Sequence, residues 1–429
     1  MTGFLSATAF MLVMLFAGVW VAIALGTAGF VGLYDILGYD RVIRILGNLA
    51  WDQTTNYVLI AVPLFIFMGE ILFQAGIMDR VYGAASRIFR ALPGGLLQTN
   101  IAASTLFAAC SGSSVASAAT IGAVGYPQIR SRGYNKPLAL GSIAAGGTLG
   151  ILIPPSILFI IYGSLAEVSI GQLFLAGVLP GLILAVLFAI YIAVRVRIDP
   201  ALAPKEEGVR VSEMLFAVLD LWQMHILAIV VLGGIYAGVA SPTEVAGLGA
   251  FLALVFAAIE RRLTLQAVIT AGINSVRQTC MILFIVMTAK LLALTLVYFQ
   301  VPTMLVDFTN SVGASRLQVL VAVCVLYVIM GMFFDGLSMM VITIPFVVPV
   351  VQAFQVDLIW LGVLVCILIE IGLLTPPVGI NLFVLQGATG EPFKDIAGGS
   401  LPFVALQGVG VVLLFLFPSL ALYLPSLLF

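Results

Sequence analysis

Two stretches decide the fold: Gly146-Gly147-Thr148-Leu149-Gly150-Ile151-Leu152-Ile153-Pro154-Pro155-Ser156 and Gly372-Leu373-Leu374-Thr375-Pro376-Pro377-Val378-Gly379-Ile380-Asn381. Each sets a Pro-Pro pair, glycines and a hydroxyl inside an apolar run. Proline lacks the N–H that a helix needs, and its ring clashes with the preceding turn. Glycine allows backbone directions that other residues avoid. Both stretches therefore predict helices broken partway. Such a break frees carbonyl oxygens at one half-helix end and N–H groups at the other. The first can ligate a cation, and the second, with its positive dipole, suits an anion.

The surroundings make these breaks intramembrane. The chain has 429 residues, 62% hydrophobic and 9% charged; soluble domains carry about 25% charged residues. Its 18 basic and 19 acidic residues leave uncharged runs at 3–34, 53–69, 91–129, 137–166, 168–194, 336–356, 371–390 and 396–429. A helix needs about 20 apolar residues to cross a bilayer. Only helices and closed barrels satisfy the backbone in lipid. Barrel strands alternate apolar and polar, and these runs do not. The fold class is an all-α polytopic membrane protein.

Composition excludes several functions. A net charge of −1 gives nucleic-acid binding no electrostatic support. Cys110, Cys280, Cys324 and Cys366 have no metal or redox spacing. His225, the single histidine, reads as a residue near a membrane interface, and hydrolase chemistry would have to be built on it alone. No GxxxxGK[ST] loop is present. The N-terminus lacks a basic signal-peptide region and reads as a retained first span.

Basic residues near span ends mark the cytoplasmic side. Four clusters do so: Arg80, Arg87 and Arg90; Arg130, Arg132 and Lys136; Arg195, Arg197, Lys205 and Arg210; Arg261 and Arg262. The first two flank 91–129, which must enter and leave on one side. We read it as a re-entrant hairpin rather than two full spans, with its turn at Ser111-Gly112-Ser113-Ser114.

The halves repeat. Pro154-Pro155 recurs as Pro376-Pro377 and Pro180 as Pro402, both at an offset of 222; Gly112 and Ser114 recur as Gly336 and Ser338 at 224. The second hairpin, 315–356, has Asp307, Arg316 and Asp357 at its flanks and no basic cluster, so its open end belongs outside. The repeats then have inverted topology. The first repeat is 1–194: scaffold 1–90, hairpin 91–129, broken helix 137–166, closing helix 172–194. A cytoplasmic linker, 195–220, follows. The second repeat is 221–429: scaffold 221–300, hairpin 315–356, broken helix 358–387, closing helix 396–429. The run 3–34 should break near Gly18, which puts Met1 outside. Residues 35–56 should lie along the outer interface and 261–277 along the inner one. That makes about ten crossings plus two hairpins.

The candidate site residues lie at the two hairpin tips and the two breaks. Asp335 stands out, with uncharged runs on both sides; an intramembrane carboxylate is expensive and marks function. Glu370 precedes the second break by five residues and points the same way. Glu70 and Lys290 read as residues pairing with polar backbone at helix ends, and Glu244, after Ser241-Pro242-Thr243, as a helix cap.

At these residues the chain resembles the large membrane subunit of tripartite ATP-independent periplasmic (TRAP) transporters, the DctM-like family. The matching stretches are PLFIFMGEIL (63–72), SGSSVASAATIG (111–122), GYNKPLALGSIAAGGTLGILIPPSILFIIYG (133–163), SPTEVAGLGAF (241–251), DGLSMMVITIPFVVPV (335–350) and LTPPVGINLFVLQG (374–387). One departure is Pro127-Gln128, where the family pattern has Pro-Met. The resemblance implies an elevator-type fold and Na⁺-coupled import of an organic anion such as a dicarboxylate or a sialic acid, with Na⁺ as coupling ion. It implies a bacterial or archaeal inner membrane and two partners, a small four-span membrane subunit and a periplasmic substrate-binding protein. It places one Na⁺ site at Ser111, Gly112, Ser113 and Ser114 with Gly146, Gly147, Thr148, Gly150 and Pro154. The other falls at Asp335, Gly336 and Ser338 with Thr375, Pro376 and Gly379. Substrate falls between the tips, near Ser113, Ser114, Pro155, Ser156, Ser338, Pro377 and Asn381. The alternatives are a stand-alone inverted-repeat transporter, a membrane enzyme and a channel. The enzyme needs a nucleophile–base pair that the sequence lacks, and the channel does not need discontinuous helices in both halves.

Overall fold

A computed structural model describes residues 9–15, 17–204 and 211–428. All regular structure among them is helical. We label twelve helices. The first half holds α1 (Ala61–Gln74), α2 (Leu96–Ser111), α3 (Ser114–Ser131), α4 (Lys136–Leu152), α5 (Ile157–Ala166) and α6 (Ile170–Ile198). The second holds α7 (Leu265–Tyr298), α8 (Arg316–Gly331), α9 (Gly336–Ala353), α10 (Leu358–Leu373), α11 (Ile380–Thr389) and α12 (Phe393–Leu416). Among the described residues, five helices are long and apolar enough to span a bilayer, seven if two bent pairs each count as one span; six more apolar helices are shorter. Many large apolar side chains face outward, such as Leu182, Val186, Ile190 and Val194 along one face of α6. That spacing is one helical stripe, as lipid contact requires.

Each half contains a hairpin, a broken helix and a closing helix in the same order. Contacts at both ends show that the broken helices run antiparallel. Lys136, at the start of the first, bonds Glu391, just past the end of the second, at 2.8 Å. Tyr162, near the end of the first, donates to the Leu358 carbonyl at the start of the second, at 2.6 Å. The closing helices are antiparallel too: Phe188 meets Phe403 edge to face, and Leu184 lies against Gly410. The repeat is therefore inverted. Backbones approach closely at glycines. A Cβ on Gly399 would stand 1.9 Å from the Pro137 carbonyl oxygen, so α12 presses directly on α4.

Basic residues of the first two clusters have acidic partners, and Lys205 and Arg210 of the third lie outside the described residues. Arg80 pairs with Glu260, Arg87 with Asp220 at 2.5 Å, and Arg130 with Glu391 at 3.5 Å. Lys136 donates a hydrogen bond to Glu391, with Tyr126 beside it, and these hold that carboxyl below the ordinary carboxylate range.

Some expectations change. The chain does break near Gly18, which has φ 78°; Met1 lies outside the described residues. Tyr39–Thr55 is a separate helix, bent 59° from Val58–Gln74. Its counterpart is not separate: 261–277 was expected along the inner interface, yet α7 runs 34 residues without interruption. The bend has a local cause. Asn56 ends the first helix, and its Oδ1 accepts from Val58 N–H at 2.9 Å; α7 has no such break. The closing run 396–429 is also two helices, α12 and Ser419–Leu428, divided at Phe417-Pro418. Proline stops a helix that is already long enough to span.

Candidate functional site

The first tip forms because Gly112 takes the left-handed conformation, φ 57°. Ser113 then caps α3, its hydroxyl accepting from Ala116 N–H at 3.4 Å. The Ser117 hydroxyl donates to the Ser113 carbonyl at 2.8 Å, and Ser111 and Ser117 hydroxyls meet at 2.9 Å. Ser117 escaped the sequence reading, although it follows Ser113 by one helical turn. The tip seats on the first break. A Cβ on Gly112 would stand 2.8 Å from the Pro155 carbonyl oxygen. A Cβ on Gly150 would stand 2.9 Å from Ser117 Oγ and 3.1 Å from the Ser113 carbonyl oxygen. Glycine is needed at both positions, and small-residue contact of this kind is how membrane helices approach closely.

The second tip is built with a charge. Asp335 caps α9: Oδ2 accepts from Ser338 N–H at 3.1 Å, and Oδ1 accepts from the Ser338 hydroxyl. Asp335 thus organises the tip. The breaks differ as well. Ser156, buried, caps α5 through Phe159 N–H at 3.3 Å. At the second break Gly379 starts α11 with φ 58° and no side-chain cap, while the Thr375 hydroxyl donates back to the Ile371 carbonyl at 2.6 Å. Glu370 and Asn381 are fully buried, and their side-chain polar atoms have no hydrogen-bond partner among the described residues.

A cavity of about 570 Å³ lies between the tips. Gly112, Ser113, Ser114, Asp335 and Gly336 line it, with Ile157 and Leu158 from α5, Leu373 from α10, and Gln278, Met281, Ile282 and Ile285 from α7. Both tips therefore share one chamber, and a scaffold helix closes it. Ser111 lines an adjoining cavity. Ser338 stands behind Asp335. Thr375, Pro376, Pro377, Gly379 and Asn381 are not among the chamber's lining residues, nor are Pro154, Pro155 and Ser156.

Three residues expected at the first site are elsewhere. Gly146 packs against Ser104 and Gly147 against Ala118, both along the hairpin arms rather than at the tip. Thr148 faces α12: its hydroxyl donates to the Ala145 carbonyl at 2.7 Å and accepts from Gln407 at 2.9 Å. Gly146 and Gly150 are four residues apart, about one turn on the same face, and Gly150 is the one at the level of the tip. Glu70 also differs from expectation. It accepts from the side-chain amides of Asn274 at 3.0 Å and Gln278 at 3.3 Å, not from backbone. The polar pair Asn274 and Gln278, four apart in an apolar helix, was the missed signal. Glu244 does cap its helix, in a reciprocal capping box with Ser241.

Oxygen atoms crowd the first tip: the Ser113 and Pro155 carbonyls and the Ser111 and Ser117 hydroxyls. The missing Cβ at Gly112 leaves room beside the Pro155 carbonyl, and the one at Gly150 leaves room beside the Ser113 carbonyl and the Ser117 hydroxyl. Such hard neutral donors fit a cation of the Na⁺ type.

Paired tips around one chamber in an antiparallel repeat define a multi-pass membrane transporter subunit, not an enzyme. The chain belongs to the family described as "Tripartite ATP-independent periplasmic transporter, DctM component", whose pattern matches residues 8–420. It is 33% identical to the C4-dicarboxylate TRAP transporter large permease protein DctM of Pseudomonas aeruginosa, over 94% of each chain. It is 31% identical to the sialic acid TRAP transporter large permease protein SiaM of Vibrio cholerae, over 96% of each. Its fold is similar to the crystal structure of the Alcanivorax borkumensis YdaH transporter, with TM-score 0.60, 16% identity and 87% of each chain covered.

Proposed function

We propose that this chain is the permease subunit of a Na⁺-coupled importer for a small organic anion, set in a bacterial inner membrane. A periplasmic binding protein delivers the anion, and a small four-span subunit completes the membrane assembly. The relatives named for C4-dicarboxylates and sialic acid support a carboxylate substrate. The observation that carries the reading is the single chamber lined by both tips.

The physics of the chamber favours coupling. The N-termini of α3 and α9 begin at its wall, at Ser114 and Gly336. Their N–H groups and dipoles suit an anionic head, and the Ser113 and Ser114 hydroxyls add donors. Asp335 opposes the anion. Like charges in a site of low dielectric repel strongly, so anion binding at the second tip calls for a cation between them. Na⁺ would be held by the Ser113 and Pro155 carbonyls and the Ser111 hydroxyl at one tip, and by Asp335 at the other, supplying that positive charge. The hairpins and broken helices then carry the chamber past α7 in an elevator motion, alternately opening it to each side.

The test is uptake into proteoliposomes containing both membrane subunits, with binding protein outside and succinate or N-acetylneuraminate as probe. We expect accumulation driven by an inward Na⁺ gradient without ATP. Undiminished uptake after K⁺ replaces Na⁺ would overturn the coupling. Uptake that needs no binding protein would favour a stand-alone transporter. A cysteine placed at Ser131 should label only from the cytoplasmic side.

A further inference from the structure

The chamber between the tips does not end at α7. A second cavity of about 230 Å³ also has Ser113, Ala116, Ala119 and Gln278 in its wall. A third, of about 440 Å³, takes in Ala119 and Thr120 and continues to Val124 and Asp79. The α3 residues facing this series recur every three or four positions, so one helix face runs along all of it. That helix ends in the basic cluster at Arg130 and Arg132, which marks the cytoplasmic end. The series therefore leads from the tips toward the cytoplasm.

Glu70 stands in the second cavity. Each of its carboxylate oxygens takes one amide: Asn274 at 3.0 Å and Gln278 at 3.3 Å. All three residues sit on scaffold helices α1 and α7. Among the α7 residues lining the tip chamber, Gln278 alone is polar; the others are Met281, Ile282 and Ile285. Gln278 thus belongs to both cavities. Its bond to Glu70 is long and uses one of two amide N–H donors.

We propose that Gln278 completes the substrate site from the scaffold side, donating to the anionic head of the substrate. Glu70 and Asn274 are positioning residues for it. The proposal rests on the tip chamber being the substrate site. A neutral donor here resolves a conflict. Glu70 alone would repel an anion leaving toward the cytoplasm. A glutamine that exchanges Glu70 for substrate keeps a partner for its amide in both states. Once the anion departs, Glu70 reclaims the amide, which opposes rebinding.

The test has two arms. In the uptake assay above, with succinate and with N-acetylneuraminate, Gln278→Leu should raise KM about tenfold, the size of one hydrogen bond to a charged group. The Na⁺ half-saturation should stay put. Glu70→Gln should lower the maximal rate per folded complex more than it moves KM, because release loses its competitor; a merely structural role would lower the amount of folded complex and leave both the rate per complex and KM unchanged. A wild-type KM in Gln278→Leu overturns the proposal. The second arm needs no substrate. With the four native cysteines replaced by alanine, Gln278→Cys is exposed to a membrane-impermeant anionic methanethiosulfonate reagent. Labelling from the cytoplasmic side supports the path; its absence overturns it. If neither probe is carried by the wild type, the transport reading fails, and the labelling still decides whether Gln278 lies on an anion-accessible route.

Discussion

The two tips occupy matching places in an inverted repeat and are built from different chemistry. The first is neutral: three hydroxyls, from Ser111, Ser113 and Ser117, and a glycine pressed on a carbonyl. The second is charged, with Asp335 committed to Ser338 through both oxygens. A neutral tip that accepts a cation becomes positive. A charged tip creates a demand for one. Duplication therefore supplied two similar frames, and divergence left one tip neutral and the other charged.

The largest way to break the comparison is steric. Gly331 and Gly372 touch in the second half; a Cβ on Gly372 would stand 2.4 Å from the Gly331 Cα. The matching residue of the first half is Gly150, whose missing Cβ faces Ser117 Oγ at 2.9 Å. Backbone cannot rotate away, whereas a serine hydroxyl can. Gly372→Val should cost about 3 kcal/mol or more by overpacking, seen as a lowered Tm and yield of purified protein. Gly150→Ala should cost less while raising the Na⁺ half-saturation. Equal losses of stability in both would erase the distinction.

Charge comes next. Asparagine is as good a helix cap as aspartate, so Asp335→Asn should fold. Without the charge its Na⁺ half-saturation in uptake should rise about tenfold or more, since hydrogen bonds and contacts to charged groups exceed 1.5 kcal/mol. Ser113→Ala should shift it only a few-fold, because the Ser113 carbonyl remains. Unchanged Na⁺ titrations in both would remove the tips from ion binding. Asn381 sharpens the difference between the breaks. Its side chain is buried without hydrogen-bond partners among the described residues, whereas Ser156 in the first half caps a helix. Asn381→Ala should not lower Tm through a lost hydrogen bond; Ser156→Ala should cost about 1 kcal/mol through the lost cap. Thermal unfolding of both variants checks this.

The sequence revealed most of this frame, for a physical reason. In a chain with 9% charged residues, proline pairs, glycines and single charges interrupt long apolar runs, and each interruption has one structural meaning. The breaks, the hairpins and the inversion were readable from them. What stayed hidden depended on helix rotation. Gly147 and Thr148 are rotated toward Ala118 and Gln407, Gly146 meets Ser104, and only Gly150, one turn beyond Gly146 on the same face, meets the tip. Gln278 was hidden likewise. By the 222 offset its counterpart is Asn56, which ends a helix at a 59° bend. On uninterrupted α7 the same position is free to face a cavity, and no local pattern announces that.

The smallest effect separates the two ends at which the antiparallel broken helices meet. At one end Tyr162 donates to the Leu358 carbonyl at 2.6 Å from a buried ring. At the other, Lys136 reaches Glu391 at 2.8 Å and Asp395 at 3.4 Å from a surface position. Removing the buried donor loses one hydrogen bond, so Tyr162→Phe should cost about 1 kcal/mol and be indifferent to salt. Lys136→Met should cost less, and its effect should vanish at high ionic strength. The pH dependence has a definite sign. The Lys136 hydrogen bond holds Glu391 below its ordinary pKa. A carboxyl depressed in the fold contributes stability that is present above its unfolded value and lost as pH falls through the folded one. Wild type and Lys136→Met should therefore differ near neutrality and converge in acid. A difference that instead grew on acidification would show that Lys136 does not act through Glu391.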